Sequence, residues 1–541
     1  MRRNLEIPQG KRARLYRFLE ILPGVISYGA IILLFVLSWI SPVFGAIYLF
    51  IIIASTLVKA IGVAYRTIQG YEVIKRAERV DWRKRMEDLE NPHEAYERLH
   101  DDNSRSYHFD EHVENLKIMA AMGSEYPNPA KTLHAVIMTA YDEGEEILVP
   151  SIDSVKNTTF PNERIIFVLA YEERGGEKME ELAKELSKKY KGVFKDFILS
   201  RHPANLSGEV IGKGPNLTYA GHLLAEYVEK KHLPVDNIVV TSLDSDNHMA
   251  PKYLDSVAYE FVTHPNRQRL SYQPVSLFMN NIWDAPAPSR VIAVSNSFFN
   301  VISTMRPHTL RNFASHSQPF QALKAMDFWS KRTIVEDGHQ YWRSLFFFSG
   351  DYDVLPIRIP IYQDAVIDET LPKTIKAQFV QVRRWYYGAS DIAYVGSKLF
   401  VPRDRRIVPF WRLFPKFWRL FDGHITLAMM APIITFGAWV PMIMNDSSHT
   451  MVAYNLPNIV SIIETIAMVG LVITVLVSFR MLPPRPEKYR KGRGILMLLQ
   501  WILMPITSIL YQSIAAFYAQ TRLMLGLYME KFDVTKKFVK K

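Results

Sequence analysis

The run Asn237 to Leu243, NIVVTSL, reads as a buried strand that leads straight into Asp244-Ser245-Asp246. Two carboxylates at the mouth of a sheet suit a hard divalent ion such as Mg²⁺ or Mn²⁺, which takes oxygen ligands and fills other positions with substrate phosphates. Such an ion would neutralise charge on a departing diphosphate. A solvated acidic turn could carry the same residues; the strand before them favours the metal. A second acidic pair, Glu336-Asp337, lies between the aromatic runs Asp327-Phe328-Trp329 and Tyr341-Trp342. One carboxylate there can deprotonate a hydroxyl nucleophile, and with a metal-held leaving group no general acid is needed. The plain structural alternative is a helix start, where the dipole favours acids. A third group, Gln378, Gln381, Arg383, Arg384 and Trp385, falls on a predicted helix, Lys373 to Ala389. There Gln381, Arg384 and Trp385 share a face at i, i+3 and i+4. Arg can clamp a diphosphate and Trp can stack on a ring, and the same set also fits an amphipathic helix lying on a membrane.

These side chains need a sheet to hold them. LHAVIMTA, RIIFVLA and NIVVTSL read as buried parallel strands, separated by helix-like stretches Gly144 to Val155, Glu177 to Tyr190 and Pro215 to Val228. The alternation predicts a doubly wound α/β sheet with its ligand site at the carboxyl ends of the strands, where the acidic motif falls.

Long uncharged runs flank this middle. Ile21 to Val58 carries no charge, is interrupted by Ser41, Pro42 and Gly45, and is long enough for two spans of about 20 residues. Basic residues lie before and after it, which places both its ends in the cytosol. Ile425 to Met444 and Ile459 to Phe479 read as two more spans, and Glu464 within the second would face protein or water. In Ile495 to Thr521, Pro505 favours a broken or re-entrant hairpin. The net charge of +11 sits largely beside these runs, so it points to a membrane surface and not to nucleic acid. The absence of cysteine excludes disulfides, thiolate metal sites and cysteine nucleophiles, and the 12% aromatic content argues against disorder.

In this order and spacing, D-S-D, E-D and Q-x-x-R-W resemble family 2 glycosyltransferases of the cellulose, chitin and hyaluronan synthase type. The resemblance implies a GT-A-type (Rossmann-like) catalytic domain inserted between N- and C-terminal transmembrane helices. By it, Asp244 and Asp246 bind metal and donor diphosphate, Asp337 is the base with Glu336 beside it, and Gln381, Arg384 and Trp385 hold diphosphate and acceptor sugar. Tyr141 and Glu143 in T-A-Y-D-E look like the donor-base loop, with Asp142 where the family has Asn. Lys213 in K-G-P-N looks like the donor lysine, with Asn216 capping the following helix. Glu172 stands where many members place an aspartate that reads uridine. Phe532, Val534, Thr535 and Lys537 match the F-x-V-T-x-K gating loop, while Ser315-His316-Ser317 replaces the acceptor motif of cellulose synthases.

The implied activity is inverting, metal-dependent transfer of a sugar from a nucleotide-diphosphate sugar to an acceptor hydroxyl, with polysaccharide synthesis and translocation as the leading form. Its cofactor would be Mg²⁺ or Mn²⁺. The partners would be the donor, a glycan or lipid acceptor and membrane lipids, with no nucleic acid. Non-processive glycosylation of a lipid uses the same residues, and a transporter or inactive scaffold is the alternative of another class; a transporter would carry its polar motifs within the spans. The expected organisation is a basic segment and transmembrane hairpin at 1–66, a helical interfacial linker at 67–130 and the catalytic domain with the Q-x-x-R-W helix at 131–400. An interfacial helix, C-terminal spans and a gating-type tail follow at 401–541. The expected location is the plasma membrane, with the catalytic domain cytosolic.

Overall fold

The computed structural model describes residues 5–445, 451–490 and 492–533; some side chains in the helix 451–481, Glu464 among them, lie outside the description. Residues 446–450 and three expected tail residues, Val534, Thr535 and Lys537, also lie outside it.

The expected strands form at the expected places: β1 Leu133–Ala140, β2 Ile165–Glu172, and Ile238–Asp244, which is β4 because β3, Asp196–His202, precedes it. Four more complete the sheet: β5 His248–Met249, β6 Leu270–Leu277, β7 Ser317–Pro319 and β8 Asp353–Tyr362. The order is β3-β2-β1-β4-β7-β6-β8-β5. β1 to β4 are parallel, as the alternating pattern requires. β7 runs antiparallel to both β4 and β6, and β5 antiparallel to β8, so the sheet is mixed rather than wholly doubly wound. Short β7 is reached from β6 through the helix Ala287–Thr304 and a loop after it.

The central strands are buried on both faces, which is why they are almost continuously apolar. One face packs Val136, Met138, Phe167 and Leu169 among residues of the helices Glu145–Lys156, Gly176–Lys189 and Tyr253–Thr263. The other packs Ala135, Ile137, Val168 and Val240 against Leu217, Ala220 and Leu224 of the helix Lys213–Lys230.

Among the described residues, four helices are long and apolar enough to cross a membrane: Arg14–Ile40, Pro42–Arg79, Phe410–Met444 and Arg493–Leu525. The first two form a hairpin whose turn is capped by the Ser41 hydroxyl at Val43 N, with Pro42 at the first helical position. Packing is close where helices cross: a Cβ on Gly437 would lie 2.8 Å from Leu49 Cδ1. The run Arg493–Leu525 is broken by a 3₁₀ turn at Gln500–Leu503 and a π-helical turn at Ser508–Ser513. Both of its ends meet the catalytic region. Arg493 donates to the Trp283 carbonyl at 2.7 Å, and beyond Leu525 the chain reaches Asp533, which pairs with Arg383.

Candidate active site

The carboxyl edge of β1, β2 and β4 gathers most of the expected residues. Thr139 of β1 is in register with Asp244 of β4, so the loop after β1 and the acidic motif emerge side by side. In that loop Glu143 turns back: Oε2 accepts from Tyr141 N at 2.7 Å and Oε1 from the Ser245 hydroxyl at 2.8 Å. Burial pushes the Glu143 carboxyl up, against those hydrogen bonds. Its bond to Ser245 ties the β1 loop to the acidic motif.

Lys213 begins the helix Lys213–Lys230 and is buried. Its Nζ lies 2.7 Å from Asp244 Oδ1, 3.1 Å from both oxygens of Asp337 and 3.8 Å from Glu336 Oε1. Burial disfavours its charge, but Asp244, Asp337 and Glu336 outweigh that and hold its pKa above the usual lysine range. Glu336 and Asp337 open the helix Glu336–Phe347, the position its dipole favours for acids. Burial, then the Asp337 charge, raises the Glu336 pKa. Close approach of these elements depends on Gly214, where a Cβ would run into the Ser330 carbonyl.

Among the described residues no three His, Asp or Glu side chains converge as a metal cage. Asp244 and Asp246 alone still suit Mg²⁺ or Mn²⁺, which are commonly held by one or two carboxylates plus substrate phosphates. Asp246 is buried, and its backbone carbonyl accepts from Asn280 at 3.1 Å.

The expected Q-x-x-R-W helix spans Leu371–Tyr386 and splits its side chains. Buried Gln381 accepts from Gln378 at 3.1 Å, and Trp385 packs its ring 6.0 Å from that of Phe278. Arg384 lies under the tail, its guanidinium 3.7 Å from the centre of the Phe532 ring. Burial lowers the Arg384 pKa against the pull of Glu336, Asp244 and Asp337.

The tail is anchored by a single parallel β-bridge: Ile211 N donates to Glu530 O at 3.0 Å, and Phe532 N to Ile211 O at 2.7 Å. A cavity of about 260 Å³ is lined by Tyr141, Glu172, Arg174, Gly212, Phe532 and Asp533, among others. Tyr141, Glu172 and Phe532 thus share one cavity, with Glu172 ion-paired to Arg174 and the Arg174 guanidinium 5.5 Å from the Tyr141 ring. One expectation needs correction. Asn216 does not cap its helix; it lies within it and donates to Ala170 O at the end of β2, because the helix already starts at Lys213.

Several contributors were not singled out in the sequence. Arg174, Asp533 and Ile211 carry no motif of their own. His316, seen only as a departure from an acceptor motif, is buried with Nδ1 3.8 Å from Asp337 Oδ1.

The model of glycosyl transferase family group 2 matches residues 239–520, more than half the chain, and the chain belongs to that family. It is therefore a glycosyltransferase, with a mixed-sheet GT-A-type domain flanked by apolar helices. No curated protein matches it. Among solved structures it is similar to a mannosyltransferase from Pyrobaculum calidifontis in complex with GDP-Man and Mn²⁺, at 11% identity, over 72% of this chain and 87% of that one, with a TM-score of 0.42. GalNAc-T7 with UDP, GalNAc and Mn²⁺ is similar at 13% identity, over 54% and 58%, with a TM-score of 0.33.

Proposed function

We propose that the chain transfers a sugar, with inversion, from a nucleotide-diphosphate sugar to an acceptor hydroxyl at the cytosolic face of the plasma membrane. The observation that carries this reading is the convergence of Asp244, Lys213, Glu336 and Asp337 at the carboxyl edge of β4. The nucleotide lies in the cavity of Tyr141, Glu172 and Phe532. Asp244 and Asp246 would hold Mg²⁺ or Mn²⁺, which supplies charge neutralisation at the leaving diphosphate. Arg384 and Lys213 add positive charge beside it, and Gln381 and Trp385 lie on the acceptor side. Asp337 takes the acceptor proton as the oxygen bonds to the anomeric carbon and the bond to the diphosphate breaks. The tail around Phe532 is the lid over the donor.

The same residues serve polymer synthesis with translocation and single addition to a lipid. The organisation that goes with this reading has its boundaries at residues 66, 130 and 400. Purified protein, supplied with radiolabelled nucleotide sugars and Mg²⁺ or Mn²⁺, tests the whole scheme. Label should enter an acceptor and be lost in Asp246→Asn. No incorporation from any donor would overturn the reading; a long labelled polymer would identify the translocating form, and a small lipid-extractable product the single addition.

A further inference from the structure

Four arginines meet where the catalytic region joins the membrane helices. Arg66 lies one turn before Gly70, whose face packs so closely on Val301 and Met305 that a Cβ there would meet both side chains. Arg66 is thereby brought beside Arg306, the residue after Met305. Arg419 comes from the helix Phe410–Phe436, which runs alongside: three residues on, Asp422 approaches Lys59 of the neighbouring helix at 3.9 Å. Arg311 follows in the loop after Arg306, its guanidinium 5.8 Å from the Trp342 ring.

Among the described residues none of these four guanidiniums forms an ion pair; Asp391, whose charge acts on Arg311, is taken by His339 at 2.6 Å, and Asp422, whose charge acts on Arg419, is half-exposed and faces Lys59 at 3.9 Å. Arg66 is bonded only to a carbonyl of its own helix, at Gly62. The Arg306 Nε is buried with no hydrogen-bond partner. Burial, then the charges of Arg66 and Arg419, depresses the Arg306 pKa. A cluster of like charges, part of it desolvated and unpaired, is costly unless an anion completes it.

Depth and direction narrow the anion. Tyr65, Trp411 and Trp418 are exposed on these helices at 62%, 80% and 55%, as aromatic residues at a membrane boundary are, which sets the arginines at headgroup level. From Arg311 the loop runs to Phe313, whose carbonyl accepts from His316 Nδ1 at 2.9 Å, and that same nitrogen lies 3.8 Å from Asp337. One loop thus joins the arginines to the base.

We propose that Arg66, Arg306, Arg311 and Arg419 bind the phosphate of a membrane lipid, whose attached hydroxyl or sugar is thereby presented toward Asp337. Several guanidiniums converging on one phosphate match its charge and its acceptor geometry. The acceptor role rests on the glycosyl-transfer reading; the phosphate site does not.

The test uses the full chain in neutral detergent micelles with tritiated farnesyl phosphate as probe and farnesol and inorganic phosphate as competitors. We expect saturable binding that farnesol does not displace. Arg306→Gln combined with Arg419→Gln should weaken it at least about tenfold, with nucleotide-sugar affinity retained as proof of folding. Arg403→Gln with Arg405→Gln, on an exposed turn, should leave it unchanged. Equal binding by both double variants, equal weakening in both, or displacement by inorganic phosphate at matched concentration would overturn the proposal. Binding without sugar transfer from any donor would sink the transferase reading and leave this site standing; transfer without binding would do the reverse.

Discussion

Lys213 Nζ lies 3.1 Å from each carboxylate oxygen of Asp337, so one buried ammonium bridges the expected base and, at 2.7 Å, the first aspartate of the metal motif. Removing it leaves Asp244, Glu336 and Asp337 facing one another uncompensated. Lys213→Gln should therefore destabilise the fold by about 3 kcal/mol or more and lower turnover at least about hundredfold. Thermal unfolding and initial rates would show it, and wild-type turnover would contradict the role given to Lys213.

Asp337 and Glu336 are adjacent but differently placed. Asp337→Asn keeps the shape and removes the proton acceptor, so transfer should fall by about 10²- to 10⁴-fold with donor binding intact. Burial and the neighbouring Asp337 charge raise the Glu336 pKa, favouring its neutral form. Glu336→Gln, which imitates that form, should stay within about tenfold of wild type. Steady-state kinetics of the two variants side by side decide the order, and equal losses would contradict it.

The tail is held by Arg384 under Phe532 and Arg383 against Asp533. A cation–π contact of this kind contributes about 0.5–2 kcal/mol. In Phe532→Ala the tail should open more often, cleavage by trypsin after Lys531 should quicken severalfold, and donor KM should rise. Unchanged cleavage would show that Phe532 does not fasten the tail.

Glu260 offers a pH test away from the site. Burial, then Glu111, pushes its carboxyl up to about 7, against His108, Arg85 and Arg358. The unfolded chain titrates this group near 4.3. As pH rises from about 4 to about 7 the folded state keeps a proton that the unfolded state has lost, so the stability from this group declines across that window. Glu260→Gln should remove the decline, gaining on the order of 2 kcal/mol over wild type at pH 8 but not at pH 4. Melting curves in detergent at both pH values measure it.

Three strands of the parallel half, β1, β2 and β4, are legible because they are short and apolar, and the sequence run LHAVIMTA coincides with β1 to the residue. β3, β5, β6, β7 and β8 carry no such pattern. β6 and β8 carry prolines, Pro274, Pro356 and Pro360, that weaken a strand signal, and β7 is three residues long. At the site, motif residues stood out because their types are rare after buried strands. The links between them did not: the Glu143 bond to Ser245 spans 102 positions, and that of Lys213 to Asp337 spans 124. No local pattern encodes such pairs. Asn216 shows the converse, a residue type suited to a helix cap but claimed by the sheet edge.

Arg17 near the start of the first apolar helix donates to the carbonyls of Leu523 and Met524 at 2.7 and 2.6 Å, and Arg12 stacks on Tyr528. The partners are 506 and 507 positions apart. During synthesis Arg12 and Arg17 can pair with nearby Glu20 from the start, and they gain these further partners once the helix Ile514–Leu525 and Tyr528 have been made. Phe532 emerges later still. Translation order therefore sets an order of assembly: the cluster of Lys213, Asp244 and Asp337 is made before the residue that closes the cavity of Tyr141 and Glu172.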